Sequence, residues 1–129
     1  LGVTVDDEDG AKLRSGEPVA SLAELKPDAF LANCSAPEAM PTALAALAAF
    51  GVPFGAYANG FVKITKEFLS PGSTVGALAK RDMPPETYAE HVLTWVDQGA
   101  TIVGGCCEVG PAHIREIHRR LTAAGHDIV

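Results

Sequence analysis

Apolar residues fall along this chain in short uninterrupted blocks, and four of them read as buried strands: Leu1–Val5, Ala29–Asn33, Pro53–Ala58 and Ala100–Gly104. A helical stretch follows each block. After the first strand, an acidic, glycine-containing loop (6–18) leads into a short helix, Ser21–Leu25, that Pro27-Asp28 ends. Ser35, with Glu38 three positions later, fits a capping box that opens an Ala/Leu-rich helix running to about Phe50 and stopping at Gly51. A third helix runs from Pro84 to Gln98, entered through Pro84-Pro85. The last begins near Pro111, carries Ile114, Ile117 and Leu121 on one stripe, and has Gly125 as its C′ residue.

Strand and helix therefore alternate. Continuous rather than alternating apolar strands are the pattern of parallel strands covered by helices, an α/β architecture. The last unit carries an insertion, a long loop from Asn59 to about Met83. Four βα units make half of an eightfold barrel, a fold that takes about 250 residues. An open four-stranded sheet fits the same pattern.

Composition agrees with an ordered domain. The 129 residues are 47% hydrophobic and 20% charged, far from the balance of disordered chains. A chain of this mass exposes roughly 6,500 Å² when folded and buries about two thirds of its unfolded surface, enough for a core without disulfide staples. Ten basic against 16 acidic side chains give a net charge of −6, which argues against a nucleic-acid partner. There is no apolar run long enough for a membrane span and no signal peptide at the start, so the expectation is a soluble, cytosolic protein without a membrane partner. The chain opens at Leu1 directly into an apolar block, which reads as a piece cut from a longer protein.

The candidate chemistry is sulfur. Cys34 follows the second strand, and the adjacent Cys106 and Cys107 follow the fourth. In parallel βα folds the carboxyl ends of the strands form one ligand-binding face, so residues distant in sequence converge there. Each cysteine alone reads equally as a small packing residue. Three together at strand ends, in an odd number that disfavours a disulfide framework, point to a metal or to catalysis. Three thiolates suit Zn²⁺ and leave its fourth tetrahedral position open, the arrangement of a catalytic site. Gly104-Gly105 would supply backbone angles that let vicinal thiolates turn to one metal.

Asn33-Cys34, Tyr57-Ala-Asn59-Gly60, and Ala100-Thr-Ile-Val-Gly-Gly-Cys-Cys107 followed by Pro111-Ala-His-Ile114 resemble the C-terminal half of the zinc-dependent homocysteine S-methyltransferases, as does the stretch from Asp7-Glu-Asp-Gly10 through Arg14-Ser-Gly-Glu17. The resemblance implies that residues 1–129 are about four βα units, the second half of a (β/α)₈ TIM barrel. It also implies zinc on Cys34, Cys106 and Cys107, with homocysteine and a methyl donor as partners and methionine as product. Where the family usually has Gly-Thr after the cysteine pair this chain has Glu108-Val109, a departure that bears on the substrate-facing surface and not on the ligands. The competing reading is a non-enzymatic βα domain whose cysteines are buried packing or redox thiols.

Other residues carry weaker signals. Asn59 ends the third strand on the same face, where its amide either contacts substrate or forms the turn before Gly60. Tyr57 reads as core. The 59–83 loop, with Phe61, Lys63, Lys66, Phe68 and Arg81, is either a donor-binding lid or a solvated insertion. His91, His113, His118 and His126 read as surface histidines, and Asp6 to Asp9 as a solvated acidic turn. A half barrel also leaves two unpaired strand edges, so the isolated chain is expected to self-associate.

Overall fold

The computed structural model describes residues 1–65 and 68–129, and for Val75 the backbone alone. Four strands, β1 (Gly2–Val3), β2 (Phe30–Asn33), β3 (Phe54–Tyr57) and β4 (Ile102–Val103), form one parallel sheet in the order β1-β2-β3-β4. Each strand is shorter than its apolar block. Beyond Val3 the chain leaves the ladder, and Val5 pairs instead with Leu13 as an isolated antiparallel bridge.

Three α-helices follow in chain order: α1 (Met40–Ala48), α2 (Pro85–Asp97) and α3 (Pro111–Ala123). Short 3₁₀ turns cover Val19–Leu25, Pro37–Ala39 and Val75–Ala77. Buried positions on α1 are Met40, Ala43, Leu44 and Leu47, and on α2 Tyr88, Ala89, Val92 and Trp95, the spacing of one helical face. α2 packs chiefly on α3, through Ile117 and Leu121 of the predicted stripe, while Ile114 is exposed. Gly125, at φ 87°, follows α3 as the left-handed C′ residue.

The capping box at Ser35 does not form. Ala36 precedes the Pro37–Ala39 turn with no side-chain cap, and the buried Ser35 hydroxyl is occupied by the Val5 backbone, accepting from its N–H at 2.9 Å. A serine needed inside the molecule is not free to cap a helix.

The register separates the two faces of the sheet. Phe30, Ala32 and Ala56 belong to the core beneath the helices. Gly2, Leu31, Asn33, Gly55, Tyr57 and Ile102 share the opposite face, which the helices leave uncovered. Tyr57 is therefore not in the core, because strand alternation puts it on the open side. Gly55 is required where β3 meets β4, since a Cβ there would sit 1.7 Å from the Ile102 carbonyl oxygen. Among the described residues no helix is long and apolar enough to cross a membrane.

Candidate metal centre

Cys34 is the first residue past β2. Its N–H donates to the Tyr57 carbonyl at 3.0 Å, extending the ladder by one bond, and the chain then turns with Cys34 at φ 48°. Left-handed backbone costs a non-glycine residue about 1–3 kcal/mol, so surrounding contacts must hold it. They come from the first loop. Nη2 of Arg14 donates to the Cys34 carbonyl at 3.1 Å and lies 3.3 Å from Oγ of Ser35 and 3.4 Å from Oδ1 of Asp7. A hydrogen bond from a charged donor contributes about 1.5–3 kcal/mol, enough to offset the strain.

Cys106 and Cys107 sit in a turn closed by Val109 N–H on the Cys106 carbonyl at 3.1 Å. Glu108 occupies its third position at φ 65°, in the left-handed region. Two further bonds tie the turn to the end of β3, Cys106 N–H to the Ala58 carbonyl (2.9 Å) and Gly60 N–H to the Cys107 carbonyl (2.8 Å). The glycine pair works differently from the sequence expectation. Neither Gly104 nor Gly105 has positive φ; Gly105 is needed because a Cβ there would meet the Val109 side chain at 2.1 Å.

These two turns bring the three sulfurs together. Sγ of Cys107 lies 3.8 Å from both Cys34 Sγ and Cys106 Sγ, and all three are within 4.8 Å of one another. Zinc bound to sulfur at about 2.3 Å in a tetrahedron separates its ligands by about 3.8 Å. The donor set fits such an ion. Burial, and next the neighbouring Cys106 and Cys107 thiols, push the Cys34 thiol up to about 12, and burial also raises Cys107. Without a cation Cys34 and Cys107 stay protonated at neutral pH. Among the described residues no other group of His, Cys, Asp and Glu meets the same test.

Asn59 is buried, its N–H donating to the Ser35 carbonyl at 3.1 Å. Its Oδ1 accepts from Phe61 N–H at 3.0 Å, as in a turn-forming asparagine, while its Nδ2 is buried without a partner among the described residues. The turn before Gly60 is thus formed, as one of the two sequence readings has it.

The 59–83 loop lies against this site. Phe61, Ile64 and Leu78 form a second buried cluster with Cys107 and Phe68 packed on it, and Phe61 bridges Lys80. Ion pairs join Lys80 to Glu108 at 2.9 Å, Arg81 to Glu38 at 2.6 Å, and Lys63 to Glu8. Lys66 lies outside the described residues. Asp7 is not part of a solvated turn: its side chain is 10% exposed and accepts from Ala36 N–H at 2.8 Å and Ile64 N–H at 3.1 Å.

Of the histidines, His118 and His126 are exposed and His91 stacks on Trp95. His113 departs from the surface reading. Its Nδ1 accepts from Gly110 N–H at 3.1 Å, so Nε2 carries the proton given to the Met83 carbonyl at 2.9 Å. Pro111 at the first helical position and His113 two further on are a sequence signal for this cap.

A parallel α/β fold brings three thiols together at its strand ends, a cluster with the donors to hold a metal ion. The family described as homocysteine S-methyltransferase matches residues 1–121, and the chain belongs to that family. Among curated proteins it is similar to homocysteine S-methyltransferase 4 of Zea mays, 28% identical over 129 residues, covering 93% of this chain and 35% of that protein. It is also similar to selenocysteine Se-methyltransferase of Brassica oleracea var. italica, 42% identical over 38 residues, 30% of this chain and 11% of that protein. Homocysteine S-methyltransferase 2 of Arabidopsis thaliana is 44% identical over 36 residues, 28% of this chain and 11% of that protein. The chain thus spans about a third of the maize protein's length.

Proposed function

We propose that this chain is the zinc-bearing C-terminal half of a (β/α)₈ homocysteine S-methyltransferase, with Cys34, Cys106 and Cys107 as the protein ligands. The convergence of three thiols from two strand ends carries this reading, with two sulfur separations of 3.8 Å that a zinc tetrahedron accommodates. Sequential parallel order with helices on one face supports the half barrel, as does an accessible surface of 7094 Å² against roughly 6,500 Å² for a closed monomer of this mass. Free thiols suit a reducing, cytosolic setting.

A zinc ion held there supplies, when bound, the Lewis acidity that keeps an incoming thiol deprotonated at neutral pH. The three cysteines bring more negative charge than a divalent ion carries, and the excess keeps an incoming sulfur electron-rich. Phe61 and the cluster behind Cys107 exclude water from one side. The unpartnered Asn59 amide is offered to substrate. In the reaction the homocysteine thiol loses its proton to solvent, and its sulfur forms a bond to the methyl carbon. The bond from that carbon to the donor's sulfonium, ammonium or folate nitrogen breaks, with its electron pair leaving on the donor, and the product is methionine.

The test is methionine formation by the full-length protein from homocysteine with S-methylmethionine, betaine or a methylated folate in turn. One donor should support turnover, and Cys106→Ser should abolish it. Undiminished turnover in that variant would refute the assignment.

A further inference from the structure

We propose that Arg14 and Asp7 are positioning residues for the metal centre: together they hold Cys34 in its left-handed conformation and so decide whether its sulfur reaches the other two. The inference rests on the metal reading above and extends it to residues outside the ligand set. Three observations converge. Cys34 is one of only three non-glycine residues at positive φ among those described, and the only one of the three whose carbonyl meets a guanidinium. Arg14 and Asp7 are both nearly enclosed, with side chains 16% and 10% exposed, although such residues ordinarily stay in water. Their contacts then surround the Cys34 turn. Arg14 takes the carbonyl of Cys34 and the hydroxyl of Ser35, while Asp7 takes the N–H of Ala36 and pairs with Arg14.

The second oxygen of Asp7 accepts from Ile64 N–H, so the same carboxylate joins the Cys34 turn to the loop packed behind Cys107. A guanidinium is suited to this task. Its Nη2 alone meets a carbonyl, a hydroxyl and a carboxylate oxygen, and the group stays charged at any working pH. Without it the Cys34 carbonyl loses its charged donor, the backbone relaxes out of the left-handed region, and the sulfur swings away from Cys107. Partners that orient metal ligands typically change affinity about 10–100-fold when removed.

The experiment is cobalt titration of the full chain, metal-free at the start, comparing wild type with Arg14→Met, Asp7→Asn and the distant control Arg119→Met. Cobalt is a readout independent of turnover, because its sulfur-to-metal charge-transfer band scales with the number of bound thiolates. Folded Arg14→Met should bind cobalt at least about tenfold more weakly than wild type, with the band reduced toward a two-thiolate level, and Arg119→Met should match wild type. If Arg14→Met does not fold, Asp7→Asn takes its place, with the same direction expected. A folded variant with wild-type band and affinity overturns the proposal and leaves the metal reading standing. A wild-type chain that develops no band overturns both.

Discussion

The Tyr88 hydroxyl donates to the Gly104 carbonyl at 2.7 Å. From α2 it reaches between the ends of β3 and β4, where it also accepts from the Ala58 N–H at 3.0 Å. Ala58 in turn receives the Cys106 N–H, so a buried phenol holds together the two strand ends that carry the site. Burial raises this phenol above its ordinary range and keeps it a donor. Tyr88→Phe leaves the Ala58 N–H unsatisfied and should destabilise the fold by about 1–3 kcal/mol. Urea unfolding should show a lower midpoint at unchanged slope; an unchanged midpoint would mean the phenol bridges nothing of consequence.

The loop from Asn59 to Met83 is either a lid or a plain insertion, and proteolysis separates the two. Its exposed ion pairs to Glu8 and Glu108 are screened by water and hold it weakly, so the Phe61 cluster is what docks it. In the full-length protein, limited proteolysis within a lid should be fast in the absence of ligands and slow with homocysteine plus donor. Equal rates would make it a plain insertion.

With metal removed, the Cys34 thiol should stay protonated at neutral pH and react slowly with iodoacetamide, since burial and its sulfur neighbours push it up to about 12. The sign for stability follows. A thiol raised above its ordinary 9.0 favours the folded metal-free chain below that pH, and the contribution is lost as pH climbs toward about 12. An alkylation profile with an ordinary thiol midpoint would contradict the geometry.

Much of this architecture was legible because parallel strands write themselves as unbroken apolar blocks. The convergence of Cys34 with Cys106 and Cys107 followed from the rule that strand carboxyl ends share a face. What escaped were residues whose partners are distant in sequence. Ser35 and Glu38 spell a capping box, yet Val5 takes the serine hydroxyl. Asp7 looks like one of a solvated acidic run until Arg14, Ala36 and Ile64 close around it. Gly104-Gly105 suggests backbone freedom, whereas the need at Gly105 is space for Val109, and the left-handed angles fall on Cys34 and Glu108 instead.

The uncovered sheet face and the free edges of β1 and β4 lead us to propose that the 129-residue chain self-associates when produced alone. Leu1 and Ile102, at those edges, are 47% and 40% exposed. Sedimentation equilibrium at micromolar concentration should find a dimer or larger species; a clean 13.4 kDa monomer that binds no hydrophobic dye would contradict the half-barrel reading.

The central claim, that three cysteines from two strand ends hold one metal ion, is tested most directly by metal analysis of the full-length protein purified without chelator. The account predicts about one zinc per chain in the wild type and its loss in Cys34→Ser, with the fold retained by circular dichroism. Full zinc content in the folded Cys34→Ser variant, or none in the wild type, would contradict it.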